Sequence, residues 1–263
     1  MLNRAPIFAA AREIIRELPG QGEWDWATRT IAIMDAAINS AEGHAAAPVV
    51  EIQRGLSPAD FKYAADMLGC TVAQIRAVWE VECSGNGWFT DVRGDILALD
   101  GPGGFIDGAH LPKILFEAHW FARHTQGRFN KSHPNISSPV WKRSLYIGGV
   151  GEWERLHRAM QLDTKAALLS ASVGAPQIMG FNHKKAGYDT VEGFWDAMKR
   201  SERNHLSAFC AFVKNSGLVA ALRRISNYHA DCRPFASGYN GEAYDVHDYD
   251  GKIARAHKKW SES

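Results

Sequence analysis

The chain has 263 residues, enough for one large domain or for one domain with a small additional region. Hydrophobic residues make up 46% and charged residues 22%, which is the composition of a globular protein with a substantial core. The 30 basic and 29 acidic residues leave a net charge of +1, so the sequence lacks the basic excess of a dedicated nucleic-acid-binding protein.

The first 47 residues are predicted to form a small helical region that ends in a linker. Apolar residues recur at helical spacing over 5–18 and again over 24–40. Residues 42–48 contain the run Gly-His-Ala-Ala-Ala-Pro, which is typical of a linker. We therefore separate residues 1–47 from a main domain over 48–263. The N-terminal region either packs on the main domain or binds a partner.

Two helices are predicted at the start of the main domain. Ser57 can cap a helix and Pro58 suits its first position, which predicts a helix over 58–68. Thr71 and Gln74 then form a capping-box pattern at the start of a second helix.

The second helix carries a carboxyl group on its apolar face. At about 100° per residue, Glu82 lies over Ile75 and Val78. Burial against apolar side chains disfavours the anion and raises the pKa of a carboxyl group, which makes it a proton donor near neutral pH. The alternative is a structural carboxylate that is satisfied in the core or faces solvent at a frayed helix end. A Ser-Gly-Asn-Gly turn follows at 84–87.

The glycine-rich stretch 90–111 contains Asp-Gly pairs and is predicted to form a small β-hairpin, the only β structure expected. Its aspartates do not have the spacing of an EF-hand. The four cysteines show no metal-ligand spacing either, so the sequence predicts neither a metal site nor a cofactor.

The rest of the chain is predicted to be helical, which gives a mainly α fold. There is no strand–helix alternation and no GxGxxG motif, so a dinucleotide-binding fold is not expected. The predicted helices span residues 112–124, 152–160, 164–172, 191–215, 218–227 and 249–260.

Glu117 is a second carboxylate on an apolar stripe. In a helix over 112–124 it shares a face with Ile114, Trp120 and Phe121. Charged groups rarely occupy such stripes unless they are paired or functional. Glu117 is therefore either a second acidic group of the site or a buried ion-pair member with a neighbouring Arg or His.

Two later segments, 174–182 and 237–241, combine amide and aromatic side chains. Amides both donate and accept hydrogen bonds, which suits sugar hydroxyl and N-acetyl groups. A pair of carboxylates, one of them in an apolar setting, is what glycoside cleavage requires. The alternatives are helix caps for the amides and a core position for the tyrosine. The candidate substrate-binding residues are Gln177, Phe181, Asn182, Tyr239 and Asn240.

The chain contains three further ordered motifs: EVECSG at 80–85, ILFEAH at 114–119 and ASVGAPQIMGFN at 171–182. Together they resemble the phage-type N-acetylmuramidase family, modular endolysins with a lysozyme-like catalytic domain. The resemblance implies a lysozyme-like helical domain with a small β-hairpin, preceded here by the N-terminal helical region. It implies cleavage of the β-1,4 bond after N-acetylmuramic acid in peptidoglycan, with Glu82 as general acid and Glu117 as a second important carboxylate.

The sequence departs from the family pattern at three places. Cys83 replaces a Ser or Thr, Ala118 replaces an Arg that commonly follows the second glutamate, and the stretch 90–111 is longer than usual. These departures leave the role of Glu117 and the shape of the cleft open.

The main functional alternative is a lytic transglycosylase, which uses one acid and forms 1,6-anhydromuramic ends. A wall-binding protein without catalysis is another. A DNA-binding helix-turn-helix over 60–80 is a third, but its second helix offers only Gln74 and Arg76 to bases.

The expected partner is the peptidoglycan glycan strand, with no nucleic acid and no stable membrane insertion. A monomer is expected. Charged residues interrupt the apolar positions of residues 1–18, so no signal peptide is predicted. We expect synthesis in the bacterial host cytoplasm, action on the cell wall in the periplasm after release, and a possible wall-binding role for residues 1–47.

Overall fold

The structure is a computed structural model that describes residues 55–83, 87, 111–149 and 151–262. The predictions for residues 1–47 and for the hairpin over 90–111 lie outside the described residues. Within the described residues the fold is mainly helical with one small antiparallel sheet, as the sequence predicted.

The described helices and strands follow one another in a simple order. The helices are α1 (Pro58–Leu68), α2 (Val72–Cys83), α3 (Ala118–His124), α4 (Gly151–Leu169), α5 (Val191–Arg200), α6 (Glu202–Asn215), α7 (Val219–Arg224), α8 (His229–Asn240) and α9 (Tyr249–Ser261). The strands are β1 (Ile114–Phe116), β2 (Ala171–Val173) and β3 (Ile178–Met179). No described helix combines the length and apolar character needed to cross a bilayer.

The caps of α1 and α2 confirm the predicted helix starts. The Ser57 hydroxyl accepts a hydrogen bond from the Asp60 amide, while the Asp60 carboxylate accepts one from the Ser57 amide at 2.8 Å. At the start of α2 the Gln74 side-chain oxygen accepts a hydrogen bond from the Thr71 amide at 2.9 Å, and the Thr71 hydroxyl accepts one from the Gln74 amide at 3.1 Å. Because each cap satisfies amides that lack a partner within the helix, both helices begin at defined residues.

The prediction that β structure is confined to 90–111 is wrong. Ile114 pairs with Val173 and Phe116 with Ala171 in an antiparallel ladder, and β3 continues the sheet beyond β2. The segments 112–117 and 171–172 are therefore not helical. Their apolar runs suit a helix or a buried strand equally well, and pairing between distant segments decides the outcome.

Three further helix predictions need correction. The expected helix over 191–215 is interrupted at Ser201, which is extended (φ −161°, ψ 152°) and caps α6 by accepting a bond from the Asn204 amide. α7 is shorter than the predicted 218–227. No helix was predicted between 227 and 249, yet residues 237–240 belong to α8, because burial of Cys232, Phe235 and Ala236 outweighs the unfavourable Pro and Gly inside that helix.

The buried apolar residues form two cores that meet at α6. The sheet core contains residues from 111 to 198 together with Ala208. The helical core contains residues from α1 and α2 at one end of the described chain, residues 206–256 at the other end, and Ala175. Because α6 contributes to both, it fixes the two cores relative to each other.

Candidate active site

Glu82 lies in the last turn of α2, where the helical core borders a cleft. Burial raises the pKa of Glu82 to about 7, and the Asn240 hydrogen bond and the Lys252 charge oppose that rise without cancelling it. The Asn240 amide, at the end of α8, donates to Glu82 Oε1 at 3.0 Å. The sequence prediction of a proton-retaining carboxyl on the apolar face of this helix therefore agrees with the structure.

The cleft beside Glu82 has a volume of about 240 Å³ and runs along the sheet. Its described lining combines one wall from α2, a floor from β1 and a second wall from two turns. The lining residues are Glu82, Lys113, Ile114, Leu115, Gly148, Gly149, Glu152, Gly174, Ala175 and Gln177.

Gly87 anchors the chain that leaves α2 after Glu82. Its amide donates to Glu202 Oε1 at 3.2 Å, and its carbonyl accepts from the Lys113 amide at 2.7 Å. A Cβ at this position would lie 2.5 Å from His205 Nδ1, so only glycine fits. This contact fixes the exit of α2 against the start of β1.

Gln177, one of the candidate substrate-binding residues, lines the same cleft as Glu82. It is exposed, and its backbone is left-handed (φ 49°), which is uncommon outside glycine. Its amide nitrogen donates to the carbonyls of Lys113 (3.1 Å) and Gly174 (2.7 Å), while its amide oxygen accepts from the Ser172 hydroxyl. The amide is thus held in one orientation at the cleft surface.

Asn240 and Tyr239 have different positions around Glu82. Asn240 contacts the carboxyl directly. Tyr239 packs its ring on Phe235, with centroids 5.5 Å apart, and its hydroxyl donates to the Pro176 carbonyl at 3.1 Å. Tyr239 therefore links α8 to the turn that carries Gln177, which resembles the core alternative considered from the sequence.

Glu117 does not lie on an apolar helical face, and that prediction is wrong. It follows β1 in an extended conformation and occupies the residue before α3. The Tyr146 hydroxyl donates to Glu117 Oε2 at 2.6 Å, and His119 Nδ1 lies 3.1 Å from the same oxygen. The pairing with His119 was one of the alternatives for this carboxylate.

Phe181 and Asn182 lie in a short 3-10 helix over Gly180–Asn182 and do not line the Glu82 cleft. The Phe181 ring is 4.6 Å from that of Trp120 and 6.3 Å from that of His124. The structure therefore brings Gln177 and Asn240 to Glu82, and groups Phe181 with a separate aromatic cluster.

Glu152 is a cleft residue that sequence reasoning missed. It is 1% exposed, and its carboxylate accepts bonds from the Phe116 amide (3.1 Å) and from Arg155 (2.7 Å) on one oxygen. The other oxygen accepts from the amides of Ile147 (2.8 Å) and Gly148 (3.0 Å). Glu152 thereby ties β1 to the turn that forms the opposite wall, and the only sequence signal was its spacing of three from an arginine.

One group among the described residues could bring three metal-ligating side chains together: His229, Asp248 and Asp250. The two carboxylates are already engaged, because Arg255 lies 2.7 Å from Asp248 and Arg233 lies 3.4 Å from Asp250. We therefore assign no metal to this group.

A carboxyl group that keeps its proton near neutral pH, beside an open cleft, is suited to acid-assisted cleavage of a glycoside. Comparison with known proteins agrees with that class. The family model described as Muramidase, N-acetylmuramidase, matches residues 100–261, which is more than half of the chain. The chain belongs to this N-acetylmuramidase family, and it is a glycoside hydrolase that acts on peptidoglycan.

A solved structure supports the same assignment. The crystal structure of the Burkholderia AP3 phage endolysin is similar over 90% of this chain and 87% of that chain, with 31% sequence identity and a TM-score of 0.66. None of the curated proteins matches the chain significantly. Glu82 precedes the segment that the family model matches, so its role has to be argued from its surroundings.

Proposed function

We propose that the enzyme cleaves the β-1,4 bond between N-acetylmuramic acid and N-acetylglucosamine, with Glu82 as the general acid. The observation that carries this proposal is the buried carboxyl of Glu82 beside the cleft, whose pKa is raised to about 7. At neutral pH about half of such groups hold a proton that can be transferred to the glycosidic oxygen.

The contact with Asn240 indicates which oxygen of Glu82 carries the proton. The Asn240 amide donates to Oε1, so Oε1 acts as an acceptor. The acidic hydrogen then belongs on Oε2, which is the oxygen that we expect to meet the glycosidic oxygen. Transfer of that proton neutralises the negative charge that develops on the leaving glycosidic oxygen as its bond to the sugar ring breaks.

Glu117 is proposed as the second important carboxylate, on the same face of the floor strand as Leu115. Side chains two residues apart on extended chain point the same way, and Leu115 lines the cleft. Glu117 can therefore face the glycan, where it activates water, stabilises the charged ring or only orients the site. Tyr146 and His119 hold it in position.

The remaining substrate-binding residues are proposed with different roles. Gln177 presents an ordered amide in the cleft to sugar hydroxyl or N-acetyl groups. Asn240 and Tyr239 act through Glu82 and through the turn at 174–177. Phe181 and Asn182 serve a part of the glycan outside the Glu82 cleft.

Mass spectrometry of digested peptidoglycan tests the bond and the mechanism together. Hydrolysis after N-acetylmuramic acid gives reducing muramic ends, and Glu82→Gln is expected to lower the rate at least about 100-fold because the proton donor is lost. Glu80→Gln is the control, because Glu80 lies on the same helix α2 and pairs with Lys259. Gln74→Glu would not serve, because the Gln74 amide donates to a carbonyl of α7. Wild-type activity in Glu82→Gln would refute the general-acid role.

A lytic transglycosylase is the second candidate. Glu152, the other carboxylate of the described cleft lining, is fully engaged by four donors, which leaves Glu82 as the single candidate acid of that lining. One acid is sufficient when the muramic 6-hydroxyl attacks within the substrate. Products lighter by one water, with 1,6-anhydro ends, would establish this outcome in place of hydrolysis.

The domain division and the cellular setting are also proposals. Residues 1–47 form a separate helical region that packs on the catalytic domain over 48–263 or binds the wall. Limited proteolysis should then cut the 263-residue chain near residues 42–48 and leave an active fragment. We further propose a monomer that binds glycan strands without nucleic acid or membrane insertion, made in the host cytoplasm and acting on the wall after release.

A further inference from the structure

Large apolar side chains are exposed in one short segment next to Glu117. Val140, Trp141 and Ile147 are 56%, 57% and 60% exposed, and together they make up three of the seven large apolar side chains that are exposed among the described residues. Such clustering marks an interaction site more often than scattered exposed residues do.

Trp141 is exposed but held in one orientation. Its indole N–H donates to the Tyr146 hydroxyl at 2.7 Å, and that hydroxyl donates to Glu117 Oε2 at 2.6 Å. The two aromatic rings lie 6.2 Å apart and are tilted by 51°. An ordered ring loses little conformational freedom when a ligand covers it, so its exposed face is prepared for binding.

The aromatic pair continues the cleft that contains Glu82. Gly148 and Gly149, which follow Tyr146 closely, form one wall of that cleft. Leu115 is part of the floor, and Glu117 lies two residues farther along the extended chain, at about 7 Å. Trp141 and Tyr146 therefore stand at the Glu117 end of the cleft, away from Glu82.

We propose that Trp141 and Tyr146 form a saccharide subsite, on which one pyranose ring of the glycan strand stacks beyond the cleaved bond. The identity of the ligand rests on the proposed function. The C–H face of a pyranose ring complements the negative face of an aromatic ring, and Trp and Tyr offer large rigid surfaces for such contacts. A glycan polymer that passes Glu82 leaves the cleft either at this end or at the opposite end. Only a polymer of several sugars can contact Glu82 and the Trp141–Tyr146 pair at the same time.

The test measures binding without turnover. In a Glu82→Gln background, Trp141→Ala is expected to weaken sedimentation with insoluble peptidoglycan about tenfold, as for loss of one aromatic contact. Trp141→Phe should restore most of the affinity because it keeps a ring. Tyr228→Ala is the matched control: Tyr228 is 74% exposed and lies before α8, about 18 Å from Asn240 at the other end of that helix.

Trp141→Phe separates stacking from an indirect effect through Glu117. Both substitutions remove the hydrogen bond to Tyr146, so equal losses would show that the bond matters and the ring does not, which would overturn the proposal. If Trp141→Ala bound peptidoglycan as tightly as the control Tyr228→Ala, the proposal would be overturned as well. So would a wild-type dimer, detected by sedimentation without glycan, that Trp141→Ala dissociates, because the patch would then join two copies of this chain.

A kinetic measurement on the wild-type background completes the test. Trp141→Ala should raise KM about tenfold for oligosaccharides long enough to reach the subsite, with little change in kcat and none in KM for shorter ones. A loss that is equal for all lengths would contradict a subsite. Failure of the general-acid proposal would appear separately, as activity in Glu82→Gln, and would leave the binding result intact.

Discussion

At the scale of single residues, Glu82 lies beside the cleft, where burial disfavours its anion and its proton can reach a bound substrate. Its ordinary pKa is 4.5, and burial raises it to about 7. The folded protein therefore keeps a proton that the unfolded chain has already released in this pH range. The contribution of Glu82 to the free energy of unfolding is therefore complete below about pH 4.5 and is lost as the pH rises to about 7.

The first prediction follows from that difference. Glu82→Gln should match the wild type in free energy of unfolding at pH 4 and exceed it by about 3 kcal/mol at pH 8, since one pKa unit corresponds to about 1.4 kcal/mol. Urea unfolding at several pH values measures this. A gap that stays constant with pH would show that Glu82 does not titrate abnormally.

The second prediction concerns Asn240, whose amide stabilises the anion of Glu82. Asn240→Ala should raise the pKa of Glu82 further, so the alkaline limb of the profile of kcat/KM against pH should move to higher pH. Asn215→Ala provides a control, because the Asn215 amide bonds to the Lys185 carbonyl instead. An unchanged or lowered limb in Asn240→Ala would contradict this role.

The residue scale also shows what sequence patterns can predict. The position of Glu82 followed from helical periodicity alone, because a helix fixes the direction of each side chain relative to its neighbours. The partnership with Asn240 could not be predicted, since the two residues are 158 positions apart and meet only through the packing of α8. Glu152 was missed because its four donors come from backbone amides and a neighbouring arginine that only the fold assembles.

At the scale of elements, Glu152 connects α4 to β1 and to the turn at 147–148. Replacing it with Gln leaves Arg155 buried without its counter-charge, since Arg155 is only 4% exposed. Glu152→Gln should therefore destabilise the fold by about 3 to 5 kcal/mol. Thermal or urea unfolding provides the measurement.

A neighbouring carboxylate on α4 serves as the control for Glu152. Glu154 pairs with Arg158 at the surface of the same helix, and Glu154→Gln should change stability by less than about 1 kcal/mol. If both variants unfold alike, Glu152 does not hold the two elements together.

At this scale, the strands are the elements that local sequence patterns could not predict. The three residues of β1 are apolar, and neither helical nor strand periodicity can be recognised over so short a run. Its partner strand begins 55 residues later, and the pairing of Phe116 with Ala171 satisfies backbone groups that a helix would otherwise have satisfied. Capped helices such as α1 were predictable because their signals lie within a few residues.

At the scale of the whole molecule, the core beneath Glu82 joins both ends of the described chain. α9 packs against α2, and Ile253 is fully buried in the helical core with Ile75 and Val78. Ile253→Ala should destabilise the protein by about 2 to 5 kcal/mol through loss of buried surface and the resulting cavity. Urea unfolding would measure it.

Val246→Ala is the matched control for Ile253, because Val246 is 75% exposed just before α9. It should stay within about 0.5 kcal/mol of the wild type. Equal effects of the two substitutions would mean that α9 does not support the helical core.

The family and the mainly helical class were predictable at this scale from ordered motifs, whereas the division into two cores around α6 depends on contacts between distant segments.

The contact of α9 with α2 also sets the order in which the enzyme can mature on the ribosome. α2 is synthesised more than 160 residues before α9, so the part of the α2 surface that α9 covers stays uncovered until α9 has been made. A chain cut short before residue 249 would lack that cover of the helix that carries Glu82.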